Sequence, residues 1–153
     1  VPDRARLGID WGKARIGVAA CNPGVSFAYP VETVPAGAGE LARLAELVAE
    51  YDPDVVYVGL PLTLGGARSH AAEFVLAKAA QLAARVTPVE VRLVDERMST
   101  ASASRSLGSA GRRARQQRSV IDQAAAVEIL QRALDGEERE GAPVGEPAAK
   151  EET

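Results

Sequence analysis

The sequence predicts an α/β fold built on a mixed sheet, and three observations lead there. Two strand-like runs near the start, Arg4–Asp10 and Ile16–Cys21, are separated only by Trp11–Arg15. A link that short allows an antiparallel hairpin and no parallel crossover. Further on, apolar runs alternate with helical patterns, as in βαβ units, which lay parallel strands side by side with helices on the sheet faces. The chain has 153 residues, 46% hydrophobic and 25% charged, which suits one ordinary globular domain with its own core.

Taken in order, the first strand carries Leu7 and Ile9, and the second runs through Ile16–Cys21. The third run, Val25–Val34, contains Pro30. Proline has no amide to give a neighbouring strand, so this strand is expected at a sheet edge or with a bulge. In Gly39–Tyr51, residues Leu41, Leu44, Leu47, Val48 and Tyr51 recur near helical spacing. Val55–Val58 is continuously apolar, as in a strand buried on both faces. Ala67–Val86 reads as a long alanine-rich helix and Val89–Val94 as another strand. The small residues of Met98–Gly111 suit a short helix, and Val120–Leu134 is the last helix, with Val127, Leu130 and Leu134 on one stripe. From Gly136 onward Glu, Ala, Gly and Pro prevail without apolar periodicity. Residues 1–135 are therefore expected to form the domain and residues 136–153 a disordered acidic tail.

Several classes fall away on composition. A single cysteine, Cys21, excludes a disulfide scaffold, and with His70 as the one histidine a Cys/His zinc cluster is excluded too. No apolar run approaches the ~18 residues that span a bilayer, and Val1–Arg6 has no leader character, so a cytoplasmic protein without membrane partners is expected. The net charge of −3 argues against a nucleic-acid binder until it is divided. From Asp135 onward there are seven acids and two bases, whereas residues 1–134 hold 14 acids and 16 bases. Arg97–Arg118 contains six arginines and no acid.

In open α/β sheets, ligands bind beyond the carboxyl ends of the parallel strands. Asp10 ends the first strand, Asp95 and Glu96 follow Val89–Val94, and Asp122 opens the last helix. Convergent carboxylates without His or Cys make a hard-cation site, suited to Mg²⁺ or Mn²⁺. Two such ions ~3.5–4 Å apart are the usual apparatus of in-line phosphodiester cleavage. Other readings stay open. Asp10 before Trp11-Gly12 also reads as a turn residue, and Asp95 or Glu96 as a partner of Arg97 or a cap of Ser99-Thr100. Ser119-Val120-Ile121-Asp122 fits a capping box, and a cap and a ligand are compatible in one carboxylate.

Phosphate contacts have their own candidates. Gly12 lets a backbone approach a phosphate closely, with Lys13 and Arg15 beside it, although an ordinary hairpin explains the same residues. The loop Gly59–Gly66, with Pro61 and Thr63, follows a parallel strand and faces the same site. Arg105, Arg112, Arg113, Arg115 and Arg118 lie among Gly, Ser, Ala and Gln, as in a mobile basic loop between Thr100 and Ser119 that contacts phosphates. The few aromatic residues are scattered and form no row for stacking bases. His70 reads as a surface or helix-start residue and Cys21 as core.

These motifs, in this order, resemble the YqgF/RuvX family of RNase H-like nucleases. Leu7-Gly8-Ile9-Asp10-Trp11-Gly12 with Arg15-Ile16-Gly17-Val18-Ala19 resembles the family's Asp-x-Gly hairpin, and Val58-Gly59-Leu60-Pro61-Leu62 its Gly-Leu-Pro loop. Val94-Asp95-Glu96-Arg97-Met98-Ser99-Thr100 is similar to its Asp-Glu-Arg signature, and Asp122-Gln123-Ala124-Ala125-Ala126 to its terminal helix. The resemblance implies an RNase H-like sheet of five strands, three antiparallel and then two parallel, flanked by helices. It implies Asp10, Glu96 and Asp122 as ligands of Mg²⁺ or Mn²⁺, two ions in all, with Asp95 as a fourth acid, and Arg97 among the phosphate contacts. The implied activity is endonucleolytic: 5′-end processing of pre-16S rRNA, or resolution of Holliday junctions in branched DNA by a chain that would suit a homodimer. The family's usual Asn and Asp after Gly-Leu-Pro are absent from Thr63-Leu64-Gly65-Gly66, so no role of those side chains carries over. A non-catalytic RNA-binding ribosome-assembly factor is the rival of another class. An actin-like or sugar-kinase-like ATPase needs two such domains, which 153 residues do not provide.

Overall fold

The computed structural model describes residues 3–62, 65, 69–96 and 114–149, and of residues 114–122 the backbone alone. Strands β1 (Arg6–Trp11), β2 (Arg15–Cys21) and β3 (Tyr29–Pro35) are followed by α1 (Glu40–Tyr51), β4 (Val55–Leu60), α2 (His70–Val86) and β5 (Glu90–Asp95). Helix α3 (Ala114–Glu140) and the short β6 (Glu146–Pro147) come last. Across the sheet the order is β3-β2-β1-β4-β5-β6. β1 pairs antiparallel with β2 and parallel with β4, and β4 pairs parallel with β5. β3 lies at the edge, with a register shift where Pro30 faces Ala19. The mixed sheet is as expected, with a sixth strand in addition to the five.

Side-chain alternation divides the protein into two layers. Leu7, Ile9 and Trp11 of β1 and Val56 and Val58 of β4 join Leu44 and Leu47 of α1 and Val75 and Leu82 of α2 on one face. On the other, Ala19, Cys21, Val55 and Tyr57 meet Ala126, Leu130, Ala133 and Leu134 of α3. β4 feeds both layers, which is why its sequence is continuously apolar. The α3 layer is thin: a Cβ on Gly8 would stand 2.6 Å from Leu130 Cβ and 3.0 Å from the Ala126 carbonyl oxygen, so the helix lies directly on the β1 backbone.

Most boundaries shift by one to four residues, β3 beginning only at Tyr29 for example, and two differ by more. Helix α3 begins at Ala114, not Val120, because Arg, Gln and Ala propagate a helix without any apolar stripe to announce it. From Ala114 onward the segment expected as a basic loop is helix, so Arg115 and Arg118 sit on helix; its earlier part lies outside the described residues. Ser119 is inside α3, so the capping-box reading of Asp122 is withdrawn. Likewise residues 136–149 are not a disordered tail. α3 runs to Glu140, the chain turns at Gly141 (φ +73°), and β6 pairs antiparallel with β5, Leu93 opposite Glu146. Polar contacts that leave no apolar signature fix this segment. Arg6 pairs with Asp54 and donates to Glu137 at 3.0 and 3.1 Å. Tyr57 Oη donates to Glu137 Oε2 at 2.5 Å and accepts from the Val144 amide at 3.2 Å. Burial and the neighbouring carboxylate push the Tyr57 hydroxyl far up, so it stays a donor. Arg92 donates to the carbonyls of Val144 and Gly145.

Gly8→Ala should destabilise the fold by about 1–3 kcal/mol, since both the Leu130 Cβ and the Ala126 backbone must give way. Equilibrium urea denaturation reads this as a lower midpoint.

Candidate active site

Of the carboxylates singled out in the sequence, Asp10 lies at the carboxyl end of β1, Asp95 and Glu96 at that of β5, and Asp122 belongs to α3. Asp10, 4% exposed, is one step past the Ile9–Val58 pair of β1 and β4, and therefore stands beside Gly59. Gly59 in turn is paired with Val94 of β5. Glu96, whose amide donates to the Leu60 carbonyl at 3.3 Å, folds its side chain back over β4. A Cβ on Gly59 would stand 2.6 Å from Glu96 Oε2 and 2.5 Å from Ile129 Cδ1. The glycine thus opens the space into which Glu96 reaches, and Asp10 and Glu96 come to flank it.

The α3 helix is fixed at the same level. Asp10 faces Gly17 and Gly17 faces Thr33, and the Thr33 hydroxyl accepts a hydrogen bond from Gln123 Nε2 at 2.9 Å. Asp122 precedes Gln123 and lies one helical turn before Ala126, which packs on Gly8. Asp95 is exposed at the end of β5. With Glu96, Glu128, Arg132 and Arg139 it lines a pocket of about 160 Å³ between β5 and α3. Among the described residues no three His, Cys, Asp or Glu side chains gather closely enough to hold a metal ion; the side chain of Asp122 lies outside that set.

Residues that sequence reasoning missed hold the strand end from below. The indole of Trp11, next to Asp10, donates to Glu40 Oε2 at 3.1 Å, while the Gly37 amide donates to Oε1 at 2.9 Å and Lys78 Nζ lies 3.2 Å from Oε2. Burial works to raise the Glu40 carboxyl, but the hydrogen bonds from Gly37, Lys78 and Trp11 outweigh it and hold the group below its ordinary value. In the sequence Glu40 is only an acid at a helix start, which is common and carries no signal.

The remaining candidates disperse. Gly12 donates its amide to the Arg15 carbonyl at 2.9 Å, and a Cβ there would meet that oxygen at 2.6 Å, so its place in the hairpin alone demands glycine. Lys13 is exposed in the turn, Arg15 half-buried at the start of β2, and Pro61 half-buried past β4. Arg97, Arg105, Arg112, Arg113 and Thr63 lie outside the described residues, as does the segment read as a short helix. Cys21 is wholly buried, and burial pushes its thiol up, in keeping with a core residue. His70 is exposed at the start of α2.

The family model described as RuvX, Holliday junction resolvase, matches residues 4–136. The chain belongs to the RuvX family. A relative in Cutibacterium acnes named "Putative pre-16S rRNA nuclease" is 54% identical over 130 residues, 85% of this chain and 81% of its own. One of the same name in Streptomyces coelicolor is 52% identical over 143 residues, covering 92% and 86%. The Thermus thermophilus RuvC structure has a TM-score of 0.55 at 18% identity, and RuvC in complex with Holliday junction substrate 0.53 at 19%; each spans 94% of this chain and 99% of the other. At that identity the likeness speaks for the fold, and the RNase H-like architecture expected of a RuvX chain is present.

Because the folded Glu40 carboxyl is held low, its contribution to stability is present above its ordinary value near 4.5 and is lost as pH falls through the folded value. Glu40→Gln should accordingly be less stable at neutral pH and lose less than the parent chain between about pH 5 and pH 3. Thermal melts across that range give the comparison.

Proposed function

We propose that this RuvX chain is a metal-dependent endonuclease that hydrolyses phosphodiester bonds in structured nucleic acid, its substrate being the 5′ end of pre-16S rRNA. The observation that carries the reading is the pair Asp10 and Glu96 on either side of Gly59, at the carboxyl ends of parallel strands. The donor set fits a hard divalent cation: carboxylates only, one of them buried, around a gap that a Cβ would fill. Asp10, Glu96 and Asp122 would hold Mg²⁺ or Mn²⁺, two ions in all, with Asp95 as a further acid at the rim. The cation, when bound, supplies Lewis acidity toward the phosphoryl oxygen and makes a bound water acidic enough to attack.

The chain's own residues do the rest. Asp10 is fixed on a strand whose next residue is clamped by Glu40, so its backbone position is set before substrate arrives. Glu96 reaches the same point from β5. Lys13 and Arg15, with Arg97 and the arginines Arg105, Arg112, Arg113, Arg115 and Arg118, grip phosphates and supply affinity without reading sequence. The names of the relatives favour pre-16S rRNA as substrate; the family's own description favours a second reading, resolution of branched DNA. Action in the cytoplasm belongs to the first reading, and a twofold dimer to the second.

A side-by-side assay separates them: a pre-16S 5′-leader fragment against a four-way DNA junction, each with Mg²⁺ and Mn²⁺. The RNA fragment should be cut. Asp10→Asn should lose at least about a hundredfold in cleavage with binding largely kept, and metal-dependent cleavage retained in that variant refutes the assignment. Gly59→Ala should cost stability only about 1 kcal/mol, since its Cβ meets the mobile ends of Glu96 and Ile129. Cleavage should nevertheless drop about tenfold as Glu96 is displaced.

A further inference from the structure

We infer that Lys13 and Lys78, with Phe74 between them, form a seat for the phosphodiester backbone of a substrate strand on the α2 side of the site, an inference that rests on the nuclease reading. Lys13 Nζ lies 5.8 Å from the centroid of the Phe74 ring and Lys78 Nζ 5.7 Å from it. Two ammonium groups from separate elements, the β1–β2 turn and α2, thus converge on one ring. Two like charges about one ring gain nothing from each other, and an exposed cation–π contact returns only about 0.5–1 kcal/mol to each. Glu40 offsets the charge of Lys78 alone, and among the described residues no carboxylate pairs with Lys13. A polyanion across both lysines offsets what the fold leaves over.

Position favours a nucleic-acid backbone as that polyanion. Lys13 is three residues past Asp10, in the turn that joins β1 to β2. Arg115 and Arg118 belong to α3, on the opposite sheet face from Phe74 and Lys78. A strand lying across the ends of β1 and β4 therefore passes from the carboxylates to the two lysines. Phe74 serves as a rest for the lysine side chains, with both ammonium groups over its ring, and not as a stacking platform for bases. Lys78 is invisible as a binding residue in the sequence, because it stands in an alanine-rich helix away from every motif.

The test measures binding of the full chain to two labelled RNA hairpins in Ca²⁺, one blunt and one with a ten-nucleotide single-stranded extension, over a range of salt. For the extended hairpin, Lys13→Gln/Lys78→Gln should bind about tenfold more weakly and lose about 1.4 from its log–log salt slope, about 0.7 per contact. The blunt hairpin should bind both proteins alike, and Lys13→Arg/Lys78→Arg should behave as the parent chain. Lys13→Gln alone, an exposed change, should give half the slope change, so the test stands even if loss of the Lys78–Glu40 pair unfolds the double variant. An unchanged slope, equal weakening on both hairpins, or no parent binding to the extended hairpin overturns the seat. Cleavage of the extended hairpin in Mg²⁺ or Mn²⁺ is scored separately. A chain that binds with the expected slope but cuts nothing loses the nuclease reading and keeps the seat; one that cuts with an unchanged slope loses the seat alone.

Discussion

Everything on the carboxylate side of the protein depends on how closely α3 can lie on the sheet. Gly8 of β1, opposite Tyr57, and Gly59 of β4, beside Asp10, lie on that face, and at both a Cβ would collide with the helix's own residues. Ala19 and Ala126 continue the same low relief. The resulting contact brings the helix against the ends of the strands without a layer of large side chains between. A thicker interface would keep the fold and lose the convergence, because Glu96 reaches its place only through the gap at Gly59.

Charged groups also fix β1 at both of its ends, one on each face of the sheet. At the far end Arg6 and Glu137 are both nearly buried, at 7% and 11% exposure, and satisfy one another together with Asp54 and Tyr57. At the near end Glu40 gathers Trp11, Gly37 and Lys78 beneath the strand that carries Asp10. Buried pairs of this kind do little for net stability once desolvation is counted, but each fixes one geometry. The division of the net charge into a basic body and an acidic tail changes accordingly. Glu137 is a fastening of the sheet to α3, so part of the acidity counted as solvated extension is structural.

Periodicity made most of the fold legible. β1, β2, α1, β4 and β5 carry apolar side chains at the spacing of their element, and Pro30 placed β3 at the edge for the reason observed. Where the apolar pattern stops, the reading stopped with it. The first turns of α3 are Arg and Gln, and the closing strand is Glu-Pro, held by Arg92, Tyr57 and Glu137 from distant parts of the chain. Such contacts have no local signature. For the candidate site, the placing of Asp10 and Glu96 at strand ends was legible, whereas Glu40 and Lys78 resemble any charge on a helix and gave no sequence signal.

Both margins of the sheet are closed by residues poor in hydrogen-bond donors. β3 carries Pro30 and Pro35, and β6 is only two residues long, a charged Glu146 followed by Pro147. At Pro30, Pro35 and Pro147 a strand from another copy would find no amide to pair with, which disfavours continuing the ladder there. Growth of the sheet by strand pairing between copies is thereby disfavoured at both of its described edges.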